Sequence, residues 1–156
     1  MKLYVRNLTE EEARLICTWR YGGEYSVYNY PMWEIVVEKN WGMAQASVRE
    51  REFFAILNEK DELIGYFRLK EKENFIELGV GLKPELCGLG YGEAAMEQIK
   101  QEAGERYPDK LLALEVRSFN QRAIKCYQKA GFRWVDTYEL ITPSGRDSFV
   151  RMEYEG

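Results

Sequence analysis

Leu3 and Val5 alternate with polar or charged neighbours between Lys2 and Arg6, which predicts a short strand with one buried face. Thr9 then precedes Glu10, Glu11 and Glu12, so Thr9 and Glu12 spell a capping box and the acids suit a helix N-terminus. Leu15, Ile16 and Trp19 are the predicted buried stripe of that helix, and Gly22-Gly23 its end. Between residues 21 and 47, Tyr21, Tyr25, Tyr28, Tyr30, Trp33 and Trp41 crowd among Glu24, Glu34 and Glu38 without a single period. A helix over residues 32–40, after Pro31, is the regular element predicted there. Residues 52–57 and 62–69 are strand-like and joined by Asn58-Glu59-Lys60-Asp61, a hairpin signature, and a polar link leads on to an apolar run over residues 75–82. Three strands in an antiparallel meander are expected.

The next stretch breaks the pattern. Gly88, Gly90 and Gly92 stand at alternate positions, and from Gly92 onward Met96, Ile99 and Ala103 fall on one helical face. Strand, glycine turn and helix in that order leave backbone amides uncovered at a helix start, where an anion can bind. The helix dipole contributes only about 0.3–1 kcal/mol, whereas each amide bonded to a charged oxygen adds roughly 1.5–3 kcal/mol. Several amides must converge, which suits a pyrophosphate; a plain glycine-rich connector is the other reading. A nucleotide P-loop would need Lys and then Ser or Thr after its last glycine, and Glu93 and Ala94 stand there. A dinucleotide fold would place the turn after the first strand of an alternating series, not after consecutive strands.

Beyond the turn, residues 111–116 form an almost continuous apolar run, read as a buried strand lying parallel to the one before the helix. Ser118 or Asn120 can cap a helix carrying Ala123, Ile124, Tyr127 and Ala130 on one side and ending at Gly131. Residues 132–140 and 148–154 read as a closing hairpin around Thr142-Pro143-Ser144-Gly145. No repeat, low-complexity tract or linker interrupts the 156 residues, so one domain over 1–156 is the economical organisation.

Composition narrows the chemistry. With 46% hydrophobic and 31% charged residues the chain reads as globular. It has neither a run long enough to span a membrane nor an N-terminal signal pattern, and a cytoplasmic location is expected. Cys17, Cys87 and Cys126 are odd in number and irregularly spaced, which argues against a disulfide scaffold and against a zinc site; no metal is expected. A net charge of -4 argues against broad nucleic-acid binding. Histidine is absent, so Ser-His and Cys-His nucleophile schemes are excluded, and proton transfer falls to carboxylate, tyrosine, cysteine, lysine or water.

Two segments together resemble the GNAT family of N-acetyltransferases. Residues 82–92, Leu-Lys-Pro-Glu-Leu-Cys-Gly-Leu-Gly-Tyr-Gly, are similar to the family's pyrophosphate-binding turn. Residues 114–132, from Leu114-Glu115-Val116-Arg117 through Asn120, Ala123 and Tyr127 to Gly131-Phe132, are similar to its later strand, helix and closing Gly-Phe. The resemblance implies an α+β (mixed α/β) fold: a mostly antiparallel sheet of about six or seven strands, a parallel splayed pair in the middle, and about four flanking helices. It implies acetyl-CoA as donor and an amine as acceptor. Val80, Gly81 and Leu82 would hold the pantetheine arm through backbone groups, Gly88, Leu89, Gly90, Tyr91, Gly92 and Glu93 the pyrophosphate, and Asn120 a further part of the cofactor. Cys87 departs from the pattern, standing where the turn usually has Arg or Gln; it is either a small tolerated replacement or a reactive thiol at a helix start.

An amine must lose a proton to attack a thioester, and the departing thiolate must gain one. Glu115 occupies the position of the catalytic glutamate in the protein N-terminal acetyltransferase branch, which shares the Leu-Glu-Val-Arg spelling; its other reading is a structural acid paired with Arg117 or Lys110. Glu77, or water, is the alternative base. Tyr127 matches the tyrosine near the sulfur and is either the acid or a packed aromatic. Peptide N-terminus, aminoglycoside, polyamine and amino acid all remain open as acceptor. The aromatic segment over residues 21–47 is either core or acceptor wall, and a homodimer is among the open oligomeric states. The competing function is a catalytically weak acyl-CoA-binding or sensing module acting through a protein partner.

Overall fold

The computed structural model describes the whole chain, Met1–Gly156. Its elements are β1 (Tyr4–Asn7), α1 (Glu10–Ile16), α2 (Trp33–Glu38), α3 (Ala46–Glu52), β2 (Phe53–Leu57), β3 (Leu63–Glu71), β4 (Phe75–Leu82), α4 (Tyr91–Arg106), β5 (Leu111–Arg117), α5 (Gln121–Lys129), β6 (Arg133–Thr142) and β7 (Gly145–Tyr154). Short 3₁₀ turns occupy Gly23–Tyr28, Gly42–Ala44 and Pro84–Leu86. The strands hydrogen-bond in the order β1-β2-β3-β4-β5-β7-β6. β4 and β5 are parallel, while β1–β2, β2–β3, β5–β7 and β6–β7 are antiparallel. This is the mixed α/β arrangement that the resemblance implied. No helix is long and apolar enough to cross a membrane.

The chain packs as two compact units, Met1–Arg68 with Val80–Leu89, and Leu69–Gly79 with Gly90–Gly156. In the first unit the capping box forms as the spelling predicts: the Glu12 amide donates to Thr9 Oγ1 at 3.1 Å, and the Thr9 amide to Glu12 Oε1 at 3.0 Å. The stripe differs from the prediction. Ala13 and Ile16 are buried, Leu15 is 48% exposed, and Trp19 is buried beyond the end of the helix. The cause is length: α1 stops at Ile16, where the Thr18 amide turns back to the Leu15 carbonyl, so Trp19 packs from irregular chain. Residues 46–52 form α3, so the strand expected from residue 52 begins at Phe53 instead. All five β2 residues are buried, as expected of a strand covered on both faces. Trp19, Val36, Met43, Phe53, Ala55 and Leu57 are central to the core on one side of it.

In the second unit α4 buries Ala95, Met96, Ile99 and Ala103, and β5 buries Leu112, Ala113 and Leu114 in succession. Asn120, not Ser118, caps α5, with Oδ1 accepting from the Ala123 amide at 3.1 Å. The helix ends in a Schellman motif: the Phe132 amide returns to the Tyr127 carbonyl and the Gly131 amide to that of Gln128, each at 3.0 Å. Gly131 takes the left-handed conformation this requires, φ 99°. The closing hairpin is longer than the pattern suggests, its ladder running to the Thr142–Gly145 pair. Thr142 Oγ1 donates to the Gly145 carbonyl at 2.6 Å and tightens the turn.

Candidate active site

The glycine turn is built as a strand-to-helix corner. After the 3₁₀ turn, Gly88 (φ 80°) and Gly90 (φ 89°) both adopt left-handed backbone, which side chains disfavour. Gly90 is the N-cap of α4 and brings no capping side chain, so the first-turn amides of Tyr91, Gly92 and Glu93 keep no partner from a cap. The helix begins one residue earlier than the pattern indicated. Cys87, in the place of the usual Arg or Gln, turns its Sγ toward the Lys83 carbonyl at 3.7 Å. These features fit a diphosphate held by backbone groups. A groove of about 250 Å³ lies alongside, lined by Glu93, Ala94, Glu97, Cys126, Lys129 and Ala130.

The end of β4 is braced within the first unit. A Cβ on Gly81 would stand 2.3 Å from Tyr66 Cε1, so glycine is what lets the tyrosine ring lie against the strand. Tyr21 donates its hydroxyl to the Leu82 carbonyl, and Tyr66 donates to Tyr30 Oη at 3.3 Å. Burial pushes the phenols of Tyr21, Tyr30 and Tyr66 above their ordinary range, which keeps them protonated donors at neutral pH. Trp19, Tyr66, Tyr30 and Trp41 follow one another ring to ring at 6.0–6.4 Å. From the aromatic segment, Tyr21 thus meets the end of β4 directly, and Tyr30 and Trp41 are linked to it through Tyr66.

The parallel ladder between β4 and β5 covers only Phe75–Leu78 and Leu111–Leu114. Glu115 is the first β5 residue beyond it and is exposed. Glu77 lies opposite Ala113, on the same sheet face as Glu115 by the alternation of the strand, and is exposed too. The pairings suggested for Glu115 do not form. Arg117 binds Asp147 at 2.5 Å and holds that carboxyl below its usual range through the hydrogen bond; Lys110 binds Glu71 at 2.9 Å. The Glu115 carboxylate instead accepts a hydrogen bond on Oε2 from Tyr138, at 2.6 Å. Tyr127 is half-buried on α5, its ring 6.0 Å from that of Phe132. Asn120 is 91% buried by its place in the cap.

Residues 9–132 match the acetyltransferase (GNAT) family model. The chain belongs to the GNAT acetyltransferase family. Its chemistry is acetyl-CoA-dependent N-acetyl transfer, and acetyl-CoA is its cosubstrate. No curated protein matches this GNAT sequence. Among solved structures, it is similar to a chimera of the spermidine N-acetyltransferase SpeG from Vibrio cholerae with hSSAT, at 18% identity and a TM-score of 0.77, over 98% of this chain and 95% of that one. The V. cholerae spermidine/spermine N-acetyltransferase SpeG in complex with manganese ions gives 17% and 0.75, over 98% and 92%. The ribosomal-protein-S18-alanine N-acetyltransferase from Escherichia coli gives 20% and 0.68, over 97% and 92%. At these identities the likeness is one of fold.

Two tyrosines of this GNAT were not singled out by the sequence, Tyr66 under Gly81 and Tyr138 on Glu115, and Tyr21 was read as core or acceptor wall rather than as the partner of Leu82. Gly81 inside an apolar strand was a signal for close approach of another group, though not for which one. Nothing local marked Tyr138.

Proposed function

We propose that this GNAT acetylates a primary amine, of a small molecule or a peptide, by direct attack on the thioester, with Glu115 as base and Tyr127 as acid. The observation that carries the reading is the state of Glu115: exposed, first beyond the β4–β5 ladder, and bonded to a phenol rather than neutralised by a cation. A carboxylate so placed can take a proton from an ammonium directly or through one water. Tyr127 gives its phenolic proton to the departing thiolate. Glu77, on the same face, is the alternative base. For the donor, Val80, Gly81 and Leu82 supply strand-edge backbone, Gly88, Leu89, Gly90, Tyr91, Gly92 and Glu93 the amides for the diphosphate, and Asn120 a polar contact beside the cap. The left-handed glycines and the uncapped start of α4 support that assignment.

The family match crosses both compact units, and β3 and β4 run through both, which supports a single acetyltransferase domain over 1–156. The similar structures are named for spermidine or for a ribosomal-protein alanine, so a polyamine and an alanine-starting peptide are the first acceptors to try. Free-thiol release from acetyl-CoA is expected with at least one of them. A chain that binds acetyl-CoA tightly but releases no thiol with any amine, aminoglycosides and amino acids included, is instead the acyl-CoA-binding module.

A further inference from the structure

We infer that Tyr138 is a positioning residue for acetyl transfer, which rests on Glu115 as base: its hydroxyl fixes Glu115 through Oε2 and leaves Oε1 to accept the amine proton. Tyr138 lies on β6 and Glu115 on β5, with β7 between them in the sheet. The phenol therefore reaches across a whole strand, along a diagonal, since Tyr138 pairs with Phe149 while Glu115 pairs with Arg151. At 2.6 Å the contact has the length of a charge-assisted O–H···O⁻ bond.

A β-bulge makes the reach possible. Trp134 pairs with Met152 and Asp136 with Arg151, so Val135 is the extra residue on β6. Side chains alternate along a strand, and one inserted residue exchanges the two faces for everything after it. Were β6 regular, with Val135 itself opposite Arg151, residue 137 rather than 138 would share the face of Glu115. The bulge thus aims Tyr138 at the carboxylate.

The charged groups facing Glu115 are disposed to leave that phenol as its partner. Arg151, directly opposite on β7, gives its Nε to Glu153 at 2.9 Å and lies over the Phe75 ring at 4.5 Å. Arg117, two residues along β5, is held by Asp147. Asp136 accepts the Thr137 amide, and Glu77 adds only negative charge from β4. A guanidinium bound to Glu115 would oppose its taking a proton far more strongly than a neutral donor does. Burial, and then the bond to Glu115, raises the Tyr138 phenol above its ordinary range, so it stays a donor wherever the enzyme works.

The test is steady-state thiol release over a range of pH, with the acceptor that proves active, for the full chain and for Tyr138→Phe, Glu115→Gln and the double variant. Tyr138→Phe keeps the ring, and Tyr138→Leu is a second hydroxyl-free variant should it unfold. We expect kcat to fall about tenfold with both KM values within about twofold, and the acidic limb of the pH profile to move. The double variant should be no slower than Glu115→Gln alone, because the two groups act as one. Wild-type kcat and pH profile in Tyr138→Phe, or losses that simply multiply in the double variant, overturn the positioning role while leaving Glu115 as base. Glu115→Gln with the wild-type rate and limb overturns both readings.

Discussion

Tyr127 serves two ends that a substitution can separate. Its carbonyl closes the Schellman motif at the end of α5 and its ring packs against Phe132, and both roles belong to the backbone and the ring rather than to the hydroxyl. Tyr127→Phe should therefore leave the acetyl-CoA dissociation constant nearly unchanged. The turnover rate should fall by about 10²-fold, within the usual range for loss of a general acid. Thiol-release kinetics and calorimetric titration measure the two quantities, and unchanged turnover would remove the hydroxyl from the mechanism. Glu115 shows the complementary point. As an exposed carboxylate it had several candidate partners within reach, and the pairing that forms is with a tyrosine 23 residues away.

At the scale of elements, the corner between β4 and α4 works because its backbone can turn left-handed where side chains would resist. An added Cβ on Gly90 meets nothing within 4 Å, so the cost of Gly90→Ala lies in its φ of 89° alone, about 1–2 kcal/mol. If the corner relaxes to escape that strain, the amides of Tyr91, Gly92 and Glu93 lose their alignment. Weaker acetyl-CoA binding, by several-fold, is then expected together with a lower melting temperature. Gly104→Ala, within α4 and equally unobstructed, is the control. It should stabilise the chain by about 0.5–1 kcal/mol and leave the affinity alone. Equal affinity in both variants would argue that the turn does not hold the donor. The β6 bulge is an element-scale device of another kind: one unpaired residue, Val135, sets which alternate side chains of the strand beyond it share the face of the carboxylate.

The whole molecule poses the question of cooperativity, because its two compact units share β3 and β4. Trp19, Trp33 and Trp41 lie in the first unit and Trp134 in the second. Trp134→Phe leaves indole emission reporting on the first unit, and a variant keeping Trp134 alone reports on the second. Strands that continue from one unit into the other should make the chain unfold as one body. Each variant's urea midpoint by fluorescence should then match its own midpoint by circular dichroism. Separated midpoints within a variant would show two domains rather than one. Acetyl-CoA at about 100 times its dissociation constant should add roughly 2.7 kcal/mol to the stability of whatever unit binds it.

Much of this was legible in the residues because its causes are local. The Thr9 capping box, the strand-turn-helix corner at Gly88 and Gly90 and the left-handed Gly131 each depend on atoms a few positions apart, so their spelling suffices, while for the cap of α5 it left Ser118 and Asn120 both open. Irregular stretches were harder, as α3 shows, since Ala46–Glu52 carries no apolar stripe of its own and packs beside β2. Side-chain partners at long range depended on the tertiary structure entirely. Tyr21 meets Leu82 across 61 residues, and Arg117, Lys110 and Glu115 each chose among several groups of suitable charge or polarity. The reason is geometric: charge and hydrogen-bonding capacity are properties of a residue, whereas which partner lies within 3 Å depends on strand order and register. By itself the sequence determined the family, the strand-turn-helix corner at Gly88 and Gly90, and, having no histidine, the residue types able to move protons. Only the folded chain, through a one-residue bulge and a sheet ordered β5-β7-β6, decided that Tyr138 would hold Glu115.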